Sequence, residues 1–254
     1  MNKGEKNELL FKLYLCELKR KKDNSTILKE INFLGIDNLQ YITPEDRINF
    51  ASLNSNEDIK NLCKKLNIDK SSPRNKSDIN INGINYSLKY LNAAPPALLN
   101  HTNRIGFLRV ADLLQLNISE LDSIISKYWD LRINGIIKED CLNSDHNSPF
   151  ASNKDILKPY LEYFFFSGTG SSDSIIKADK VLKFSEYNNP STWKILNKSD
   201  TIDEIWDNLI FSLRSKGMPE DYNNYPLKDK ISSWTKLYDS KYRGSIHIRY
   251  KFKN

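Results

Sequence analysis

Between positions 78 and 90 the sequence runs Asp-Ile-Asn-Ile-Asn-Gly-Ile-Asn-Tyr-Ser-Leu-Lys-Tyr. A carboxylate, Asp78, thus stands ahead of a hydroxyl, Ser87, and a cation, Lys89. Hydrolysing a phosphodiester with a divalent metal needs such a set: a carboxylate for the metal, a cation beside the attacking water or the phosphate, and rigid backbone to keep the in-line geometry. The same residues also fit a plainer account, in which Asp78 starts a strand and Lys89 is a solvated strand lysine. What surrounds the pattern therefore matters.

Asn82-Gly83 is the dipeptide favoured by two-residue hairpin turns, and apolar and polar residues alternate on both sides of it. A β-hairpin is predicted. On its second strand Ile84, Tyr86, Leu88 and Tyr90 share one face, and Asn85, Ser87 and Lys89 the other, because side chains alternate with period two. Upstream, Glu5 to Lys22 reads as a helix, with Leu9, Leu13 and Cys16 on one stripe, Phe11, Leu15 and Leu18 on another, and a basic run at its C-terminus. A second helix is expected from about Asn56 to Leu66, capped by Ser55, followed by a loop from Asp69 to Lys76 that includes Pro73. Beyond Pro95-Pro96 the pattern is mostly helical: around Phe107 to Leu114, Ser119 to about Ile137, and Lys154 to Phe166. Gly168 to Ser174 is a turn-rich break, Ile175 to Phe184 has strand character, and Thr201 to Lys216 returns to helix. A last strand, Gly244 to Lys253, places Ile246, Ile248, Tyr250 and Phe252 on one face and His247, Arg249, Lys251 and Lys253 on the other.

The 254 residues carry 38 Lys or Arg and 32 Asp or Glu, for a net charge of +6. A mildly basic chain with 11% aromatic residues is too rich in ring side chains for a disordered tail, and it is long enough to bury a core without disulfides or structural metal. Cys16, Cys63 and Cys141 are far apart and form no C-x-x-C pair, which fits a reducing compartment. No export signal is visible, and the apolar runs fall well short of the roughly 20 residues that span a bilayer. A cytoplasmic protein with no membrane partner is expected. Walker A and dinucleotide fingerprints are missing, so nucleotide hydrolysis and hydride transfer are disfavoured. The histidines His101, His146 and His247 are scattered, and Cys141, His146 and Asn147 give only weak support to a zinc or HNH-type nuclease.

Four short motifs occur in order: Asn2-Lys3-Gly4-Glu5 leading to Glu8, Asp78-Ile79, Ser87-Leu88-Lys89, and Pro95-Pro96-Ala97-Leu98-Leu99-Asn100. In these the chain resembles type II restriction endonucleases of the PD-(D/E)xK nuclease superfamily, closest to the HpaII-like group. The match covers the N-terminal helix and roughly residues 76 to 107. The resemblance implies an α/β fold with a central mixed β-sheet flanked by helices, restriction-endonuclease-like, forming a single nuclease domain over 1–254. Residues 1–150 would hold the N-terminal helix and the catalytic hairpin core, and 151–254 would add helices and strands with DNA-contacting surface.

By the same resemblance Asp78 is the metal-binding carboxylate and Lys89 orients or activates the attacking water. Glu8 is the helix carboxylate that completes the site, preferred over Glu5 because it lies in line with Phe11 and Leu15. A pair with Lys12 at i+4 is an equal alternative for Glu8. Ser87 departs from the superfamily pattern, which has an acid there; either Glu8 supplies the missing charge or the Ser87 hydroxyl holds a metal-bound water. Few carboxylates and hard oxygens suit Mg2+, which keeps several waters. Asn100, Thr102, Asn103 and Arg104 are candidates for DNA contact, since Asn reads adenine edges and Arg reads guanine or clamps phosphate, although helix capping by Asn or Thr competes. Lys177, Lys180, Arg249 and Lys251 are candidates for a phosphate-facing surface. The implied activity is Mg2+-dependent cleavage of double-stranded DNA at a short specific site, leaving 5′-phosphate and 3′-hydroxyl ends, with a cognate DNA methyltransferase protecting the host and a possible homodimer. The alternative is a noncatalytic DNA-binding or regulatory protein, because a basic surface serves both.

Overall fold

Asn2 opens the first helix through a reciprocal cap: its side chain accepts the Glu5 amide at 2.9 Å, while the Glu5 carboxylate accepts the Asn2 amide at 3.1 Å. In the computed structural model, which describes residues 1–22, 39–72 and 74–252, helix α1 then runs Lys3–Lys21. Pro73 and Lys253, named above, lie outside the described residues. The further elements, in chain order, are α2 (Asn56–Lys65), β1 (Ile79–Ile81), β2 (Ile84–Tyr90), β3 (Ala97–Thr102), α3 (Arg104–Leu114), α4 (Ile118–Ile133), β4 (Cys141–Leu142), α5 (Lys154–Glu162), β5 (Lys180–Phe184), β6 (Lys194–Leu196), α6 (Lys198–Ile205), β7 (Ile210–Arg214), α7 (Lys228–Ile231), β8 (Lys236–Tyr238), β9 (Lys241–Arg243) and β10 (Ser245–Arg249).

The fold is mixed α/β, with several sheets in place of the one central sheet expected. The chain forms two units that interleave in sequence: residues 1–94 with 174–201, and residues 95–173 with 202–254.

The first unit is built on a four-stranded sheet in the order β1-β2-β5-β6. The predicted hairpin is present, with Asn80 opposite Asn85 and with positive φ at Asn82 (51°) and Gly83 (82°), as a two-residue primed turn demands. Strand β5 joins β2 in parallel while β6 joins β5 antiparallel, so the sheet is mixed. Helix α1 covers one face. Phe11, fully buried, sits 4.5 Å from the rings of Phe184 and Trp193, and Tyr86, Leu88 and Leu182 belong to the same core. Helix α2 is capped as expected, by Ser55, whose side chain accepts the Asp58 amide at 3.0 Å.

The second unit holds a sheet in the order β3-β10-β7-β4 with antiparallel pairing throughout. Ala97–Thr102, directly after Pro95-Pro96, is strand β3, which pairs with β10, and the helices expected around Phe107 to Leu114, from Ser119 and from Lys154 follow as α3, α4 and α5. One expectation fails here. The helix expected from Thr201 to Lys216 stops at Ile205, and Ile210–Arg214 is strand β7, held between β10 and β4. Only Lys180–Phe184 of the stretch read as a strand from Ile175 is one. Phe211 of this sheet stacks at 4.1 Å on Phe150, in the turn before α5, and among the helical segments Phe107 meets Phe164 and Trp234 at ring distances of 4.9 and 5.1 Å.

Candidate functional site

Asp78 immediately precedes β1, and its carboxylate turns toward β2. The Leu88 amide donates to Oδ2 at 2.7 Å and the Ser87 hydroxyl donates to the same oxygen at 3.3 Å. Both bonds fall on Oδ2, so the carboxylate is oriented through that one oxygen. Ser87 is buried, and Lys89, two residues along, shares its face. The parallel register places Lys183 beside Lys89, and the next strand places Lys194 beside Lys183, so three lysines form one row across the sheet. The sequence alone does not show Lys183, since strand pairing brings it there.

Two further side chains meet at Asp78. Lys76 is half-buried; desolvation first, then repulsion from Lys89, pulls its pKa down to about 8, with Asp78 opposing the shift. Ser71 links the hairpin to α1: its hydroxyl lies 3.1 Å from Glu8 Oε1 and 3.2 Å from the Asp78 carbonyl. Neither was singled out from sequence. The Lys-x-Asp spacing of positions 76 and 78 is the one local signal for Lys76, because residues two apart in extended backbone share a face. Tyr41 is also close, its hydroxyl pushed above its usual range by burial and then by the charges of Glu8, Cys16 and Asp78. A cavity of about 350 Å³ opens at this point, with Tyr41, Asp69, Ser71, Asn75, Ser77 and Asp78 among its walls.

Glu8 is held differently from Asp78. Its Oε1 accepts the Lys12 ammonium at 2.7 Å, and Lys12 also donates to the Asp69 carbonyl at 3.0 Å. Lys12 is fully buried, so the i+4 pair weighed in the sequence exists but is no surface pair; Glu8 is the counter-ion of a core lysine. Glu5 is spent on the Asn2 cap and on Lys70, which leaves Glu8 as the acid nearer the hairpin. Among the described residues no group of three or more His, Cys, Asp or Glu side chains converges to hold a metal ion. The oxygens of Asp78 and Glu8 are hard donors of the kind Mg2+ takes, in a number that leaves most of its shell to water.

The sites expected to touch DNA are distributed over both units. In the first, Lys177 is exposed and Lys180 heads β5 opposite Tyr86. In the second, Asn100 is exposed on β3, and the Thr102 hydroxyl donates to the Asn100 carbonyl at 3.4 Å. Asn103 caps α3, accepting the Ile105 amide at 3.1 Å, which is the capping role its type allowed. Arg104 places two nitrogens on Asp122, each at 2.7 Å, and a third on the Lys230 carbonyl at 3.1 Å. Arg249 donates to Asp140. Arg104 is thus tied into the fold, and Arg249 is paired with a half-exposed carboxylate.

Cys141 is buried on β4, where desolvation raises its thiol, and His146 lies exposed beside Asp145. No family model, no curated protein sequence and no solved structure matches the chain.

Proposed function

We propose that the protein is a site-specific endonuclease that hydrolyses phosphodiester bonds of double-stranded DNA with Mg2+. The observation that carries this reading is the fixing of Asp78 by Leu88 and Ser87 at the wall of a cavity, with Lys89 on the same face as Ser87. The Leu88 amide sets the rotation of the carboxylate, and the buried Ser87 hydroxyl reinforces it, so Oδ1 is presented in one direction without a cost of ordering during the reaction. Asp78, with Glu8 as the second acid, would hold the Mg2+, which when bound supplies electrostatic stabilisation of the charge that builds on the phosphoryl oxygens. Lys89 holds the attacking water or the phosphate oxygen through its ammonium, and the row with Lys183 and Lys194 gives that side of the sheet a positive potential.

In the step itself, the water oxygen forms a new bond to phosphorus as the bond from phosphorus to the 3′ oxygen breaks. The water loses a proton to solvent and the 3′ oxygen takes one up, giving 5′-phosphate and 3′-hydroxyl ends. A cognate DNA methyltransferase would act in the same system, and a homodimer would suit a palindromic site.

The test is cleavage of a plasmid of known sequence with Mg2+, comparing the wild type with Asp78→Ala and Lys89→Ala. Discrete fragments from the wild type alone support the reading. No fragments from any of the three, with salt-sensitive DNA binding kept by all, favours the second reading, a noncatalytic DNA-binding protein. One observation speaks for that second reading: Glu8 already serves Lys12, so the hairpin contributes Asp78 as its single uncommitted acid.

A further inference from the structure

On the sheet of the second unit, one face carries a set of cationic and imidazole side chains apart from the Asp78 hairpin, among them Arg249. Ser245, His247 and Arg249 alternate along β10 and share a side, and the register sets Ser212 opposite His247 and Arg214 opposite Ser245. His101 comes from β3, where the pairing with β10 slips between Ile246 and Ile248. At that bulge His101 takes φ 45°, a left-handed conformation that non-glycine residues seldom adopt and that re-aims its side chain. Its ring lies parallel to that of His247, with centroids 4.7 Å apart and planes 10° apart. Gly217, at φ +86°, packs against the His101 backbone, where a Cβ would stand 2.5 Å from the His101 carbonyl oxygen.

Three buried side-chain nitrogens in this group, His101 Nδ1, His247 Nδ1 and Arg249 Nε, have no hydrogen-bond partner among the described residues. Buried polar atoms are almost always paired, so three together mark a place where the protein's own groups do not complete the bonding. The charges favour an anion there. Arg214 and Arg249 converge on the two oxygens of the Asp140 carboxylate, Arg214 also reaches Glu139 at 2.9 Å, and the Lys216 ammonium bears on His101. A metal ion is disfavoured, because it must lie in the plane of each ring that binds it, and face-to-face rings with parallel planes cannot share one. A tetrahedral oxyanion has several oxygens, and so can take donors from two parallel rings and a pair of guanidiniums at once.

We propose that this face is a phosphate-group site, with Arg214, Arg249 and the His101–His247 pair as its donors and with the Asp140 carboxylate competing for the two arginines. Asp140 is half exposed, so its ion pairs are weak and screened and an incoming phosphate can displace them. An anion also relieves the repulsion between the stacked rings, so binding is coupled to proton uptake by the pair. Desolvation first, and then the positive groups around them, hold the two rings neutral: His247, Lys216 and Arg214 bear on His101, and Arg214 and Arg249 on His247, where the Leu99 backbone and Asp140 oppose the shift.

The test is imidazole 15N–1H spectroscopy of the full-length protein as inorganic phosphate replaces chloride at constant ionic strength, without Mg2+. The expected result is an upward shift in the titration of both rings, several-fold tighter phosphate binding in Asp140→Asn, and loss of the response in Arg249→Gln with an otherwise unchanged amide spectrum. Titrations of both rings that are the same in chloride, in inorganic phosphate and with the DNA duplex, in the wild type and in Asp140→Asn, overturn the proposal. A short DNA duplex in a parallel series tells the source of the phosphate: a ring response to the duplex alone supports a phosphodiester as occupant, and a response to inorganic phosphate supports a free phosphate or a phosphate monoester. Neither arm depends on cleavage, so failure of the endonuclease reading leaves this result standing, and the reverse.

Discussion

Leu88 holds Asp78 through its backbone amide, at 2.7 Å, so the acid of the hairpin is oriented by a group that no substitution at Leu88 except proline removes. Ser87 adds a longer bond to the same oxygen, at 3.3 Å. Ser87→Ala is therefore expected to leave Asp78 in place and to cost about 1 kcal/mol of stability, the ordinary net value of one hydrogen bond. Plasmid cleavage should fall several-fold in this variant, whereas Asp78→Ala should abolish it. Cleavage by Ser87→Ala as low as that of Asp78→Ala would assign the hydroxyl a direct part in the chemistry.

Glu8 is tied to Lys12, a fully buried ammonium whose other partners are the neutral oxygens of Asp69 and Ser71. Glu8→Gln leaves that charge without its counter-ion and should destabilise the protein by roughly 3 kcal/mol in urea unfolding. The double variant Glu8→Leu with Lys12→Met removes both charges and should recover most of the loss. If cleavage stays absent while stability returns, Glu8 acts in the site as well as in the core.

The hairpin was legible because its turn and its alternation are local: Asn82-Gly83 fixes the register without help from the rest of the chain. The caps of α1 and α2 were local too. Strand β7 was hidden because Ile202, Ile205, Trp206, Leu209 and Leu213 keep helical spacing, yet Phe211 and Leu213 also alternate with Ser212 and Arg214, and pairing on both sides decided for the strand. Asp78 and Lys89 could be named since one hairpin carries both. Ser71 could not, because it lies in a stretch with no periodicity, and Lys76 offers only its two-residue spacing from Asp78. The stacking of His101 on His247 depends on β3 meeting β10 across most of the chain's length, with a bulge to bring the rings together.

His101 and His247 both have pKa values below the ordinary 6.5, chiefly from desolvation, and each is repelled by nearby positive groups. Between their folded values and 6.5 the unfolded chain binds more protons, so stability rises with pH through that window. Their contribution is complete above about pH 6.5 and is lost as pH falls through the folded values. Urea midpoints measured from pH 7.5 down to 5 should decline, and His101→Gln should flatten the decline. An unchanged slope in that variant would show that His101 does not titrate differently in the folded state.

The three thiols are buried, and desolvation pushes Cys16 up to about 12 and Cys63 to about 11. Since the thiolate is the reactive form, native protein at pH 8 should resist iodoacetamide at all three positions and become fully labelled in denaturant. Mass spectrometry of the intact chain reads this directly, and labelling in the native state at a rate near that of free cysteine would contradict the burial.

Lys76 titrates in the opposite sense to a paired lysine. Its pKa falls from 10.5 to about 8 on folding, so below pH 8 the folded state carries a poorly solvated ammonium, and between 8 and 10.5 the unfolded chain binds more protons. The destabilisation is present in full below pH 8 and is relieved as pH rises toward 10.5. Lys76→Met should therefore unfold at a higher urea concentration than the wild type at pH 7, with the difference shrinking by pH 10. An equal or lower midpoint for Lys76→Met at pH 7 would mean that the ammonium finds compensation in the fold.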